Sequence, residues 1–180
     1  KAIKVEGEIE QTVALVRATL DGEQLVNVEE IFVAKGLDRG IAAAKLLFEP
    51  DGHLLMSVGG AYMYMGLGDY AQDPSVHYGK LLRLDINGSP AANNPFLESG
   101  EFLPEVYSFG HRNQIGMDFH PVTGELWASE NGPQGGDEVN IIRPGANYGW
   151  PEASYSRQYR GDWVSDRQWQ NGVVQPEIIW

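Results

Sequence analysis

Apolar and polar positions in this chain follow one recurring scheme: a short alternating run, a turn containing glycine, and a second such run. TVALVRATL (12–20) leads through DGEQ into LVNVEEIFVA (25–34), and LLFEP (46–50) leads through DG into HLLMSVG (53–59). GKLLRLDI (79–86) meets NGSP, and GMDFHP (116–121) leads through VTG into ELWASE (125–130). Period-two alternation bounded by glycine turns predicts strands joined as hairpins. Asp21-Gly22, Asp51-Gly52 and Asn87-Gly88 are the sharpest turn signals, because tight hairpin turns need positive φ. Long helical periodicity is scarce. The apolar run over 40–48 mimics a helix, but the turn at Pro50-Asp51-Gly52 favours a strand there.

LFEPDGHLLMS (47–57) and DFHPVTGELWAS (118–129) share Phe, Pro, Gly, Leu and Ser in order, so that Phe48 corresponds to Phe119. A further strand and turn follow each copy, GKLLRLDINGSP in the first and DEVNIIRPGANYGWP in the second. Such an internal repeat predicts an all-β fold of four-stranded antiparallel sheets arranged radially, a β-propeller. A β-sandwich is the competing architecture, but sandwiches seldom repeat their own sequence so plainly. About two to three blades fit into 180 residues, whereas closed propellers hold about four to eight. We therefore expect residues 1–180 to form a single domain that is an incomplete propeller, its other blades lying outside this sequence or on another chain. The start at Lys1 and the stop at Trp180, inside the strand-like PEIIW, fit that expectation.

Composition narrows the partners. Lys and Arg number 13 against 25 Asp and Glu, a net charge of −12, which argues against nucleic acid because that needs a basic face. The same acidity suits divalent cations, although it also simply favours solubility. There is no cysteine, so disulfides and thiolate metal sites are excluded. No apolar stretch approaches the ~18 residues of a helical membrane span, and no leader-like apolar core stands at the start.

Candidate chemistry concentrates between residues 110 and 151, in HRN (111–113), SENGPQGGDE (129–138) and NYGWP (147–151). Gly132-Pro133 and Gly135-Gly136 impose an irregular backbone that turns carbonyls outward, and Asp137 and Glu138 add anionic oxygens. Hard cations such as Ca²⁺ take carbonyl and carboxylate oxygens, so this is either a calcium loop or a solvated turn. Arg112 with Asn113 could form a fork for a carboxylate or carbonyl oxygen; the alternative is an Arg paired with one of the many acids. His111 reads more readily as a hydrogen-bonded framework residue than as a general base. His53 and His120 flank the repeat turns, which suggests surface, and His77 is undecided. The polar but aromatic segment 152–172 is either a lid for sugar rings or an insertion packed on a neighbouring blade or subunit.

GHRNQIG, SENGPQGGDEVN and NYGWP, preceded by GKLLRLDINGSPAANNPF, resemble the glucose/sorbosone dehydrogenase family, soluble aldose sugar dehydrogenases that use pyrroloquinoline quinone (PQQ). The resemblance runs from about residue 12 onward and is most specific over 78–151. It implies a six-bladed propeller, a periplasmic or secreted location, a homodimer, an external electron acceptor, and oxidation of an aldose at C1 to the lactone. It implies that Arg112 and Asn113 contact the quinone oxygens, Arg112 polarising the C5 carbonyl that receives hydride. It further implies that the Gly132 and Pro133 carbonyls hold a cofactor-bridging Ca²⁺ and that Asp137 lines the pocket. Glu138 and the Tyr148 carbonyl would bind a second, structural Ca²⁺.

Departures from the family pattern fall on the proton-accepting side. Ile41 stands where the family has its general-base His, and Gly60 where it has an acid. A Gln found near HRN in some members is Ile115 here, with Gln114 one step away. Asp69, His77 or a residue outside this sequence would then supply the base. A propeller that has lost catalysis and serves as a ligand- or protein-binding module is the alternative.

Overall fold

The hairpin at Asp21-Gly22 forms between β3 (Ala14–Asp21) and β4 (Gln24–Val33), and that at Asp51-Gly52 between β5 (Leu46–Phe48) and β6 (Leu54–Val58). The structure, a computed structural model of the chain, describes residues 2–5, 8–36, 43–59 and 68–180. Ahead of β3, β1 (Ala2–Val5) and β2 (Glu8–Gln11) pair as a two-stranded ribbon.

β5 and β6 continue into β7 (Lys80–Leu84) and β8 (Val106–Phe109) as an antiparallel four-stranded sheet. A second such sheet contains β9 (Gln114–Phe119), β10 (Leu126–Glu130), β11 (Glu138–Ile141) and β12 (Ile178–Ile179). The internal repeat maps onto these sheets strand for strand. Phe48 faces Leu54 across β5–β6, and Phe119 faces Leu126 across β9–β10, the same pair in the same register. The fold is thus all-β, with two four-stranded antiparallel blades and the β3–β4 ribbon beside them. Asn87-Gly88 makes its turn, but the returning chain meets β7 only at one bridge, Leu84 to Pro90. Asn94 fills in there, its Nδ2 donating to the carbonyls of Arg83 (2.9 Å) and Pro104 (2.8 Å).

Blade stacking explains the apolar runs of β6 and β7. Leu54, Met56 and Val58 with Leu82 and Leu84 pack toward Leu15 and Phe32 of the ribbon. Leu55 and Leu81 point the other way, onto Met117, Leu126 and Ala128 of the next blade. A sheet buried on both faces favours apolar residues on both, which is why alternation fails over Leu54–Met56 and Leu81–Leu82.

Lys80, fully buried at the start of β7, gives its three hydrogens to the carbonyls of Tyr70 (2.6 Å), Tyr78 (2.9 Å) and Ala71 (3.4 Å). Burial pulls its pKa down to about 7, only partly offset by Asp73. The unfolded chain keeps this proton up to about pH 10.4, so between the two values the unfolded state binds more protons. Stability should therefore rise with pH above neutrality, by at most about 1.4 kcal/mol per pH unit from this group, and be flat below it. Denaturant titrations of the full-length protein between about pH 6 and 9 check this. Lys80→Met should remove that part of the slope; an unchanged slope would refute the assignment.

Candidate functional site

Two connections meet at one end of the blades: residues 110–113, joining β8 to β9, and residues 131–137, joining β10 to β11. Register brings their flanks together, since Gln114 faces Glu130 and Glu130 faces Glu138 on one rung. A bulge between Ser129 and Glu130 produces this rung: it leaves the exposed Ile115 unpaired and turns Gln114 into the interior. The register thus gives the inward place to Gln114 and the exposed one to Ile115. Like charges directly across antiparallel strands repel, and Asn140 Nδ2 bridges them, donating to Glu130 (3.1 Å) and Glu138 (3.3 Å). Burial first, and the Glu130 carboxylate second, push Glu138 well above the usual carboxylate range.

Arg112, Glu130, Gly132, Glu138, Tyr148 and Trp150 line one cleft at this end. Arg112 Nη1 donates to the Asn131 carbonyl (2.6 Å) and Nη2 to the Tyr159 hydroxyl (3.4 Å), while the guanidinium carbon lies 5.6 Å from the Trp150 ring. No carboxylate pairs with this cation among the described residues. Asn113 turns elsewhere: its Nδ2 donates to Asn131 Oδ1 (3.0 Å) and its Oδ1 accepts from Ala43 N–H (3.3 Å). The approach works because Gly59 has no side chain; a Cβ there would stand 2.0 Å from Asn113 Oδ1. What unites Arg112 and Asn113 is thus Asn131 rather than a direct fork.

The glycine loop gathers oxygens. Asp137 Oδ1 accepts Gly132 N–H (2.9 Å), closing the loop, and the carbonyls of Gly135 and Gly136 turn toward Gly132 beside Ser156 Oγ. Segment 154–157 buttresses it and lines the cleft through Ser154 and Ser156: Gln134 and Arg157 exchange backbone hydrogen bonds (3.1 and 3.3 Å), and Ser156 Oγ donates to Gly136 O (3.4 Å). Arg157 in turn stacks on Trp163 at 3.9 Å. The aromatic segment 152–172 accordingly packs in part on this loop of its own chain. Tyr148 is buried, its phenol pushed up to about 12 by burial, with its hydroxyl donating to Ile141 O (2.7 Å) and accepting from Arg143 N–H (2.8 Å). Its hydroxyl is therefore committed to the framework, which leaves the carbonyl as its metal-ligating candidate.

Of the residues singled out from sequence, Arg112, Gly132, Glu138 and Tyr148 converge on the cleft, whereas Asn113, Pro133 and Asp137 lie outside its lining. His111 is a framework residue in the interior, and His53 and His120 sit half-buried at the repeat turns. His77 is buried against Phe32, its Nδ1 accepting Lys35 N–H (2.8 Å) and its Nε2 facing Glu105 (3.3 Å). Asp69 belongs to the short 3-10 turn Gly68–Ala71. Ile41 and Gly60 lie outside the described residues. Sequence reasoning missed Glu130, Asn131 and Ser156, whose importance follows only from the register and from loop packing.

The residues present fit a hard cation and a carbonyl ligand: an oxygen-lined glycine loop, a guanidinium with no carboxylate partner among the described residues, and the facing carboxylates of buried Glu130 and half-buried Glu138. Asn140 Oδ1, buried and without a hydrogen-bond partner, adds one more available oxygen at that pair.

Fold and cleft together define a propeller segment with a polar, oxygen-rich site at one end of its blades. The chain belongs to the glucose/sorbosone dehydrogenase family, whose model matches residues 2–180. It is 36% identical over 136 residues to the aldose sugar dehydrogenase YliI of Escherichia coli (strain K12), covering 72% of this chain and 37% of that protein. The soluble aldose sugar dehydrogenase from Escherichia coli in the apo-form matches with a TM-score of 0.86 at 30% identity, over 99% of this chain and 52% of that one. The PQQ-bound form of aldose sugar dehydrogenase from Streptomyces coelicolor matches at 0.68 and 32% identity, over 99% and 48% of the two chains. The chain spans less than half the length of the curated relatives it matches. No helix among the described residues is long and apolar enough to cross a membrane.

Proposed function

We propose that this chain supplies the quinone- and calcium-binding part of a sugar dehydrogenase, within a six-bladed propeller completed by blades outside residues 1–180. The activity is oxidation of an aldose at C1 to the lactone, with an external acceptor taking the electrons, in the periplasm or outside the cell. The observation that carries it is the convergence of Arg112, the Gly132 loop and Glu138 on one cleft.

When bound, PQQ supplies a two-electron acceptor and Ca²⁺ the positive charge that makes it a better one. Arg112, braced by Asn131, presents its remaining N–H donors and its charge to the quinone oxygens. Asn113 sets Asn131 from the other side, and its amide is the second candidate contact. The Gly132 and Pro133 carbonyls would hold the cofactor's Ca²⁺, and Asp137 fixes the loop by accepting Gly132 N–H. Glu138 and the Tyr148 carbonyl would hold a second ion, which relieves the repulsion between Glu138 and Glu130.

Ile41 favours a second reading, a propeller of this family that binds its ligand without turnover, because isoleucine accepts no proton. Dye reduction by the full-length protein with PQQ, Ca²⁺ and a panel of aldoses separates the two. Turnover that a chelator abolishes and Ca²⁺ restores supports the dehydrogenase. Tight PQQ binding without turnover supports the second reading, and absence of PQQ binding sinks the dehydrogenase and the quinone-contact roles of Arg112 and Asn113.

A further inference from the structure

Among the described residues, one polar cluster away from the cleft is closed on itself. Glu49, Asp51 and His53 converge closely enough for a metal, but Arg83 occupies their centre, bonded to Glu49, to Asp51 (3.0 Å) and to His53 (3.1 Å). One cluster instead leads directly into the site.

We propose that Ser108, His111 and Glu130 form a buried hydrogen-bond relay whose function is to position Arg112; this rests on the reading that Arg112 faces the quinone. Glu130 is only 7% exposed and fully engaged. Its Oε2 accepts Arg112 N–H (2.7 Å), and its Oε1 faces His111 Nδ1 (3.1 Å) and accepts from Asn140 Nδ2 (3.1 Å). His111, 1% exposed, places Nε2 at 2.8 Å from Ser108 Oγ and 3.5 Å from Gln114 Nε2. Both of those neighbours can give a hydrogen, and the carboxylate on the other side can only accept one. The shorter contacts select the neutral Nδ1–H imidazole, with Ser108 donating to Nε2 and Nδ1–H donating to Glu130, while Gln114 Oε1 is left without a partner. Tyr148 stacks on the ring at 4.5 Å and holds its plane.

The sense of the chain, hydroxyl to imidazole to carboxylate, is that of a serine-hydrolase triad. Ser108, however, is 0% exposed, so no substrate reaches its oxygen. The output of the relay is the other carboxylate oxygen. Through it Glu130 fixes the backbone of Arg112, and its chain neighbour Asn131 takes the guanidinium (2.6 Å). Two consecutive residues at the end of β10 thus hold both ends of Arg112, and the bulge before Glu130 aims them inward. Carboxylate chemistry is required here, because a carboxylate accepts from three donors at once, whereas an amide must turn its NH₂ toward at least one of them.

The test uses the full-length protein with ¹⁵N-labelled histidine. The apo form should show His111 as the Nδ1–H tautomer, and Glu130→Gln should abolish that signature and the exchange protection of the Arg112 amide. In the same variant PQQ affinity should fall by about 10–100-fold, the loss expected of a charge-assisted hydrogen bond. Turnover should fall with sugar KM within about twofold, because Arg112 acts on the cofactor rather than on the sugar. A merely structural role would lower the folded fraction yet leave the affinity and bound-quinone absorption band of the folded protein unchanged. Should Glu130→Gln not fold, Ser108→Ala removes only the far end of the relay, and a shifted His111 signature with a shifted quinone band supports the proposal. An Nε2–H tautomer in the wild type overturns it, as does an unchanged band and affinity in the variants that fold. If the wild type binds no PQQ, the functional reading fails, while the tautomer and the amide protection still decide the relay.

Discussion

Replacing Arg112 by alanine in the full-length protein is expected to lower PQQ-dependent turnover by about two to three orders of magnitude, the usual consequence of deleting one aimed donor from a developing anion. The side chain is half-buried, and its bonds to Asn131 and Tyr159 do not tie the core together, so the fold should survive. Arg112→Lys should recover little. A single ammonium that keeps the Asn131 carbonyl lacks the planar fork needed to present further donors to a ligand oxygen, and it stacks less well on Trp150. Steady-state dye reduction at saturating PQQ and Ca²⁺, alongside circular dichroism, is the measurement. Full activity in a folded Arg112→Ala variant would remove the guanidinium from the chemistry.

Most of the fold was legible because local rules coincided with tertiary ones. Asp21-Gly22 and Asp51-Gly52 announced hairpins that formed, and the Phe-Pro-Gly-Leu-Ser repeat announced blades that share register. The short strands β8 and β12 were harder. VYSF and II hold too few residues to display a period, and each is a strand only because a neighbour supplies its partners. The site was legible in residue types and not in connections. Arg112 and Glu138 stand out as charges near glycines, but the Gln114–Glu130–Glu138 rung depends on a one-residue bulge that no periodicity reveals. Asn131 escaped notice for a related reason, since half of its work is done by a backbone carbonyl, which every residue has.

The glycine loop makes the stronger demand on backbone, and Gly132→Ala tests it by adding one methyl group. A Cβ at residue 132 would stand 2.1 Å from the Gly135 carbonyl oxygen, 2.3 Å from Ser156 Oγ and 3.0 Å from the Gly136 carbonyl. Ser156 can rotate aside, but two of the three obstacles are main chain, so the loop itself must open. Overpacking of this kind costs about 1–3 kcal/mol, and here the displaced atoms are the oxygens proposed to sit beside a cation. We expect calcium-dependent PQQ affinity to fall by about 10–100-fold, as when the groups orienting a metal's ligands are disturbed, while unfolding shifts only modestly. Because the obstacle is the Gly135 carbonyl, Gly132→Ala with Ser156→Ala should bind PQQ no better than Gly132→Ala alone. Fluorescence titration of PQQ at fixed Ca²⁺ compares the three proteins directly. Recovery of affinity in the double variant would place the constraint on the serine instead of the loop backbone, and undiminished affinity in Gly132→Ala would show that the cation is held elsewhere.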